Sequence, residues 1–181
     1  MYISSTARYG KPLTIINAGE YHVSTGDEII GTLLGSCVAV CLHDPEKGIS
    51  GMNHFMLPGR IAKNDPLNSP SAKYGIIAIE NLIEAMVEKG ARRNNLIAKV
   101  FGGGSVMNTE KKTTTIPFDN VRIAKAILEL EDIPIVKVDT GASFTRKLLM
   151  DARSGKVFLR KSTSSDVYAT LEPNTAAYSM A

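Results

Sequence analysis

From Ile29 through His43 the chain runs fifteen residues without one charged side chain, most of them β-branched or otherwise apolar. Strands in globular domains are usually about 3–10 residues long, so a run of this length has to bend or divide. Gly35 and Ser36 interrupt it, and a glycine there lets the backbone turn sharply. Two shorter segments of strand character precede it, Leu13 to Asn17 and Glu20 to Ser24, so the first third of the chain reads as β. The period then changes. Ile76, Ile77, Ile79, Leu82, Ile83, Met86 and Val87 recur at helical spacing and predict a helix over 72–89, with Ser71 and Gly90 as its caps. A buried strand over 96–101 runs into Gly102, Gly103 and Gly104. A second helix is expected over 120–131, opening near Asp119 and stopping before Asp132-Ile133-Pro134. A strand over 135–138 follows, then a hairpin of 147–151 and 156–160 in which Gly155 supplies the positive φ of the turn. Strands before, between and after two helices predict a layered α/β or α+β domain in which helices cover a sheet.

The length of 181 residues suits one domain. We expect it over 1–161, with 162–181, rich in small and polar residues, as a flexible tail. With 44% hydrophobic and 22% charged residues, the chain can build a core that needs neither disulfides nor a structural metal. Its two cysteines, Cys37 and Cys41, are too few and too close for a disulfide framework, which points to a reducing compartment. No basic segment followed by an apolar stretch opens the chain, and no apolar run approaches the ~18 residues of a spanning helix. A cytoplasmic protein without membrane insertion is therefore expected. The net charge of +3 comes from Lys and Arg interspersed with Asp and Glu, without the basic, aromatic-interleaved patch of a nucleic-acid surface, so no nucleic-acid partner is expected.

Candidate chemistry gathers in Gly35-Ser36-Cys37 and, further on, in Met52-Asn53-His54-Phe55. A nucleophilic sulfur needs exposure and nearby backbone N–H groups, and a preceding glycine helps to present both. Two-residue alternation places Cys37, Ala39, Cys41 and His43 on one strand face and Val38, Val40 and Leu42 on the other. Cys41, in mid-strand, reads as an inert core residue. For Cys37 the residues alone leave a buried structural cysteine and a nucleophile both open. A catalytic cysteine needs a base near neutral pH, and there are three histidines. His22 has no special context, and His43 precedes the turn pair Asp44-Pro45 and reads as a cap or decoration of that turn. His54 follows a hairpin that would return it beside the strand of Cys37, as base or as edge histidine. A metal site of Cys37, Cys41, His43 and His54 fails on reach, since those strand positions spread over roughly 20 Å. A Cys37–Cys41 redox pair fails likewise, at roughly 13 Å. The Gly102–Gly104 loop lacks the lysine and spacing of a phosphate cradle and reads either as a close backbone approach to the cysteine or as a flexible turn.

Leu34-Gly35-Ser36-Cys37-Val38-Ala39-Val40, Met52-Asn53-His54-Phe55-Met56-Leu57-Pro58 and Ala98-Lys99-Val100-Phe101-Gly102-Gly103-Gly104 together resemble the CheD family of chemoreceptor glutamine deamidases. Asn120 with its helix and the Arg146 to Val157 hairpin follow in the same order. The resemblance implies a three-layered α/β sandwich of mixed β-sheets with two main helices. It implies a protein-glutamine deamidase acting on methyl-accepting chemotaxis receptors, with Cys37 as nucleophile and His54 as base, no metal and no organic cofactor, and control by a CheC-type phosphatase. In the implied mechanism a Cys37 thiolate, stabilised by the His54 imidazolium, attacks the amide, and backbone N–H groups around Gly35, Ser36 and Cys37 stabilise the oxyanion. One departure bears on the site. Family members commonly carry a threonine six residues before the cysteine, where this chain has Gly31, with Thr32 beside it. Neighbouring side chains of a regular strand point to opposite faces, so Thr32 becomes the third catalytic residue only if a bulge shifts the register. Ala142 and Thr145 replace glycines common in the family and stiffen the later loop. Two other readings are a chemotaxis adaptor with weak or no catalysis, motivated by Gly31, and a generic cysteine hydrolase or transglutaminase.

Overall fold

The computed structural model describes residues 2–6, 10–57, 70–105, 115–163 and 179–180. In chain order the elements are β1 (Tyr2–Thr6), β2 (Lys11–Ile15), β3 (Tyr21–Ser24), β4 (Ile29–Leu34), β5 (Val38–Asp44), β6 (Ile49–Asn53), α1 (Pro70–Glu88), β7 (Ile97–Gly102), α2 (Ile116–Leu130), β8 (Ile135–Thr140), β9 (Thr145–Asp151), β10 (Val157–Ser162) and β11 (Ser179–Met180). The strands form a six-stranded sheet, β1-β2-β4-β9-β10-β11, and a five-stranded sheet, β3-β6-β5-β7-β8. Each is mixed: β2 with β4 and β7 with β8 are parallel, and the other pairs are antiparallel.

The uncharged run divides as its length demands. Its first half, β4, belongs to the six-stranded sheet and its second half, β5, to the five-stranded one, so Gly35-Ser36-Cys37 is the step from one sheet to the other. Alternation along β5 then builds two cores. Val38, Val40 and Leu42 pack with Ile79, Leu82, Ile83 and Met86 of α1 and with Ile123, Ala124, Ile127 and Leu128 of α2. Ala39 and Cys41 point the other way, onto Ile30 and Leu34 of β4 and Leu148 and Met150 of β9. Helices, five-stranded sheet and six-stranded sheet are thus three stacked layers, the expected sandwich. The outer face of the six-stranded sheet carries a small cluster of Leu13, Ile29 and Leu149.

Several boundaries differ from the sequence reading. Helix α1 opens on Pro70, one residue before the Ser71 expected as its cap, and Ile77 and Val87 are exposed because they lie off the stripe set by Ile79, Leu82, Ile83 and Met86. Helix α2 starts a turn earlier than expected, at Ile116; Pro117 is tolerated there because the first turn leaves its N–H groups unpaired anyway. Asp119 therefore sits inside the helix and accepts from the Thr115 hydroxyl at 2.9 Å. The β9–β10 hairpin forms as expected, with Gly155 at φ 66°. Residues 164–178 and 181 of the expected tail lie outside the described residues, while Ser179 and Met180 pair with Leu159 and Phe158 at the sheet edge.

One polar tie joins the sheets beside the Gly35–Cys37 step. Arg146 of β9, fully buried, donates from Nε to Asp139 Oδ1 of β8 at 2.9 Å, and Lys161 of β10 reaches Asp139 Oδ2 at 2.7 Å. Removing Asp139 would leave the buried Arg146 guanidinium without its carboxylate, whereas Lys161 still faces Asp139 if Arg146 is removed.

Candidate active site

The Gly35-Ser36-Cys37 step is held by its carbonyls, one after another. Gly35 accepts from Gly104 N–H at 2.9 Å, Ser36 from the Asn120 side-chain amide at 2.9 Å, and Cys37 from Gly103 N–H at 2.7 Å. Of the two alternatives for the Gly102–Gly104 loop, the close backbone approach is the one observed. A Cβ on Gly102, at φ 113°, would stand 2.2 Å from the Cys37 carbonyl oxygen, and one on Gly103, at φ 62°, would stand 2.8 Å from the Pro117 carbonyl oxygen. Cys37 itself is half-buried at the end of the inter-sheet core.

His54 comes to the same place just past the end of β6. An isolated antiparallel bridge joins Val38 to Phe55, with both backbone bonds at 2.9 Å. Continuing that register sets His54 opposite Ala39 and makes positions 37 and 54 diagonal across the end of the ladder. The backbone of His54 is gripped from its other side, donating to Glu20 O at 2.9 Å and accepting from Gly19 N–H at 2.7 Å. Asn53 replaces the ladder where it lapses: its Oδ1 accepts from Val40 N–H and its Nδ2 donates to Ala78 O on α1.

Thr32 completes the group, and it does so without a bulge. The β4–β9 register runs unbroken through Gly31 opposite Leu149 and Thr32 opposite Leu148. Thr32 alternates with Ile30 and Leu34 and so faces the inter-sheet core. Gly31 faces outward, where a Cβ would meet Ile15, Leu149 and Leu13 side chains. Thr32 thus reaches the inter-sheet side with no register shift, because the chain changes sheets between it and Cys37 and does not run on as one regular strand. Thr32 Oγ1 donates to Ile16 O at 2.8 Å and lies 2.8 Å from His54 Nδ1. Its one proton is spent on the carbonyl, so His54 Nδ1 carries a proton and donates it to Thr32, leaving Nε2 as a bare lone pair. That Nε2 is buried and has no hydrogen-bond partner among the described residues.

Burial sets the charge states. It pushes the Cys37 thiol up, against the opposing pull of its own N–H and the Ser36 hydroxyl. It pushes His54 down to about 4, against the Ile16 carbonyl and Glu20. Burial thus works against the charge of both the thiolate and the imidazolium that the family resemblance implies.

The remaining candidates lie elsewhere. Cys41 is fully buried in the inter-sheet core, its thiol pushed up to about 12 by desolvation. His22 is not contextless, since its Nε2 meets Glu28 Oε1 at 3.0 Å. His43 does not decorate the turn: it is buried, with Nδ1 2.8 Å from Ser50 Oγ, while the turn is capped by Asp44, which accepts from the N–H groups of Glu46 and Lys47. Among the described residues no three His, Cys, Asp or Glu side chains stand together as a metal site, and no helix is long and apolar enough to cross a membrane. Sequence reasoning assigned no role to Asn120, which is fully buried and accepts from Leu57 N–H at 2.8 Å while donating to Ser36 O. Its partners lie 63 and 84 positions away, so no local pattern could reveal them.

Fold and site together define an α/β sandwich in which Cys37 lies where the chain crosses between its sheets and His54 lies just past the adjoining strand. A sequence model of the family described as "CheD chemotactic sensory transduction" matches residues 56–161. "Probable chemoreceptor glutamine deamidase CheD 1" of Anaeromyxobacter dehalogenans is 39% identical over 84% of this chain and 86% of its own, and "Probable chemoreceptor glutamine deamidase CheD" of Sulfurimonas denitrificans is 43% identical over 80% and 91%. The chain belongs to the CheD family. The crystal structure of a Neisseria meningitidis protein of the DUF152 family aligns with a TM-score of 0.50 at 12% identity, over 75% of this chain and 66% of that one, and shares the fold.

Proposed function

We propose that this protein is a protein-glutamine deamidase that converts glutamine side chains of chemotaxis receptors to glutamates, with Cys37 as nucleophile, His54 as base and Thr32 as the residue that sets the imidazole tautomer. The observation that carries the reading is the relay of Ile16 O, Thr32 Oγ1 and His54 Nδ1, which holds the imidazole by one nitrogen and leaves Nε2 buried with no hydrogen-bond partner among the described residues. As the Cys37 sulfur bonds to the amide carbon, its proton passes to His54 Nε2, and the N–H groups of Ser36 and Cys37 receive the developing oxyanion. The imidazolium gives that proton to the departing ammonia, leaving a thioester. Neutral His54 then takes a proton from water, the hydroxide adds to the thioester carbon, and collapse releases glutamate and restores the thiol. No step calls on a metal or organic cofactor. The adaptor reading rested on Gly31, and the 2.8 Å contact of the Thr32 hydroxyl with His54 supports the deamidase reading over it.

The test is incubation of the purified protein with receptor cytoplasmic fragments, reading ammonia release and the mass change of amide to acid on each peptide. Release by the wild type and none by Cys37→Ser or His54→Gln is expected; activity retained in either variant would sink the assignment. A CheC-type phosphatase as regulator belongs to the same proposal and predicts co-elution of the two proteins with slower ammonia release.

A further inference from the structure

The three carbonyls of the Gly35–Cys37 step do more than anchor it. In a trans peptide the C=O and the following N–H point in opposite directions. With Gly35 O turned to Gly104 and Ser36 O turned to Asn120, the N–H groups of Ser36 and Cys37 are turned away from the Gly102–Gly104 loop and from α2. Neither N–H is taken by a backbone carbonyl among the described residues. At the next peptide the same rule is visible directly: Cys37 O meets Gly103 and Val38 N–H turns the other way, to Phe55 O.

We infer that Asn120 is the positioning residue of the oxyanion hole: by donating to Ser36 O it orients the Ser36–Cys37 peptide so that the Cys37 N–H faces the reacting carbonyl. The inference rests on the deamidase reading and adds a residue to it. Asn120 suits the task because both ends of its amide are committed. Its Oδ1 is fixed by Leu57 N–H, three residues past His54, and this leaves Nδ2 as the donor to Ser36 O. One buried side chain on α2 thus joins the segment of the base to the step of the nucleophile.

Asn120→Asp keeps the shape and the acceptor for Leu57 N–H, but its carboxylate sets an acceptor against Ser36 O, and the peptide is no longer held. Once protonated, the same carboxyl donates to Ser36 O again. At pH 8 we expect kcat to fall about a hundredfold with KM within about twofold, the effect of losing one oriented oxyanion donor. Alkylation of Cys37 by iodoacetamide builds no oxyanion, so its rate should stay within about threefold of the wild type. As pH is lowered toward 5 the kcat of Asn120→Asp should climb back relative to the wild type, in which Cys37 and His54 titrate alike. Asn120→Ala should show the same loss without the acid recovery. A kcat for Asn120→Asp near that of the wild type at pH 8, alkylation lost in step with deamidation, absence of acid recovery, or failure of both variants to fold would each overturn the inference. An inactive wild type would instead overturn the deamidase reading itself.

Discussion

Thr32 Oγ1 stands 2.8 Å from His54 Nδ1 and gives its own proton to the Ile16 carbonyl, so the hydroxyl acts on the imidazole only as an acceptor. That direction decides which histidine nitrogen can act as base. Thr32→Val removes the acceptor and lets the ring change tautomer or turn. Deamidation should fall roughly a hundredfold, while Thr32→Ser retains most of it. Steady-state ammonia release from the two variants distinguishes them, and equal activity in both would mean that the hydroxyl has no part in orienting His54.

The depressed His54 value has a consequence for acid stability. The folded protein resists protonation at His54 down to about 4, whereas the unfolded chain takes up the proton near 6.5. The unfolded state therefore binds more protons between these values, and stability is lost as pH falls from 6.5 to about 4, by about 3 kcal/mol in all. Denaturant melts of the wild type and His54→Gln at intervals across that window should differ in slope, the variant being the flatter. Other acid-sensitive groups are common to both proteins and cancel in the difference. Parallel curves would place the imidazole in a more polar setting than its burial indicates.

Gly102 tests the approach of the β7 end to the nucleophile. Alanine there combines a left-handed φ of 113° with a Cβ 2.2 Å from the Cys37 carbonyl oxygen, so the loop or the cysteine must move. Gly102→Ala should cost about 2–4 kcal/mol and abolish deamidation even where the protein still folds. Chemical denaturation gives the first quantity and ammonia release the second; a stable, active variant would refute the close approach.

Cys41 shares a strand with Cys37 but not its reactivity. Its thiol, pushed up to about 12, stays protonated and enclosed, so iodoacetamide should label Cys37 alone in the folded protein. Cys41→Ala should keep full activity and lose about 1–2 kcal/mol through the small cavity it leaves. Peptide mapping after brief alkylation reads the selectivity, and modification of Cys41 ahead of Cys37 would contradict the assignment.

Ala142 occupies the left-handed region at φ 57°, where glycine is the residue that fits without strain. Such a conformation costs an L-residue about 1–2 kcal/mol, more than the roughly 0.4–1 kcal/mol by which glycine loosens the unfolded chain. Ala142→Gly should therefore raise stability slightly, against the usual sign of a change to glycine, as a higher midpoint in thermal melts.

Much of this molecule is legible in its sequence. Alternation in Val38 to His43 assigned each side chain to its face, because a strand's two-residue period is local and leaves no other choice. The helical stripe of Ile79, Leu82, Ile83 and Met86 and the Gly155 turn were equally local, and the motifs around Cys37 and His54 carried the family. What the sequence could not decide were relations between segments far apart along the chain. The run from Ile29 to His43 shows that it must break, but not that its halves enter different sheets, and that change of sheet is what turns Thr32 inward and Gly31 outward. Asn120 meets Ser36 and Leu57, and Thr32 meets Ile16 and His54, only because the helices close over one sheet and the second sheet closes beneath it. The push of burial on the thiol and the imidazole is likewise a product of that closure, since desolvation belongs to the packed layers and to no residue alone.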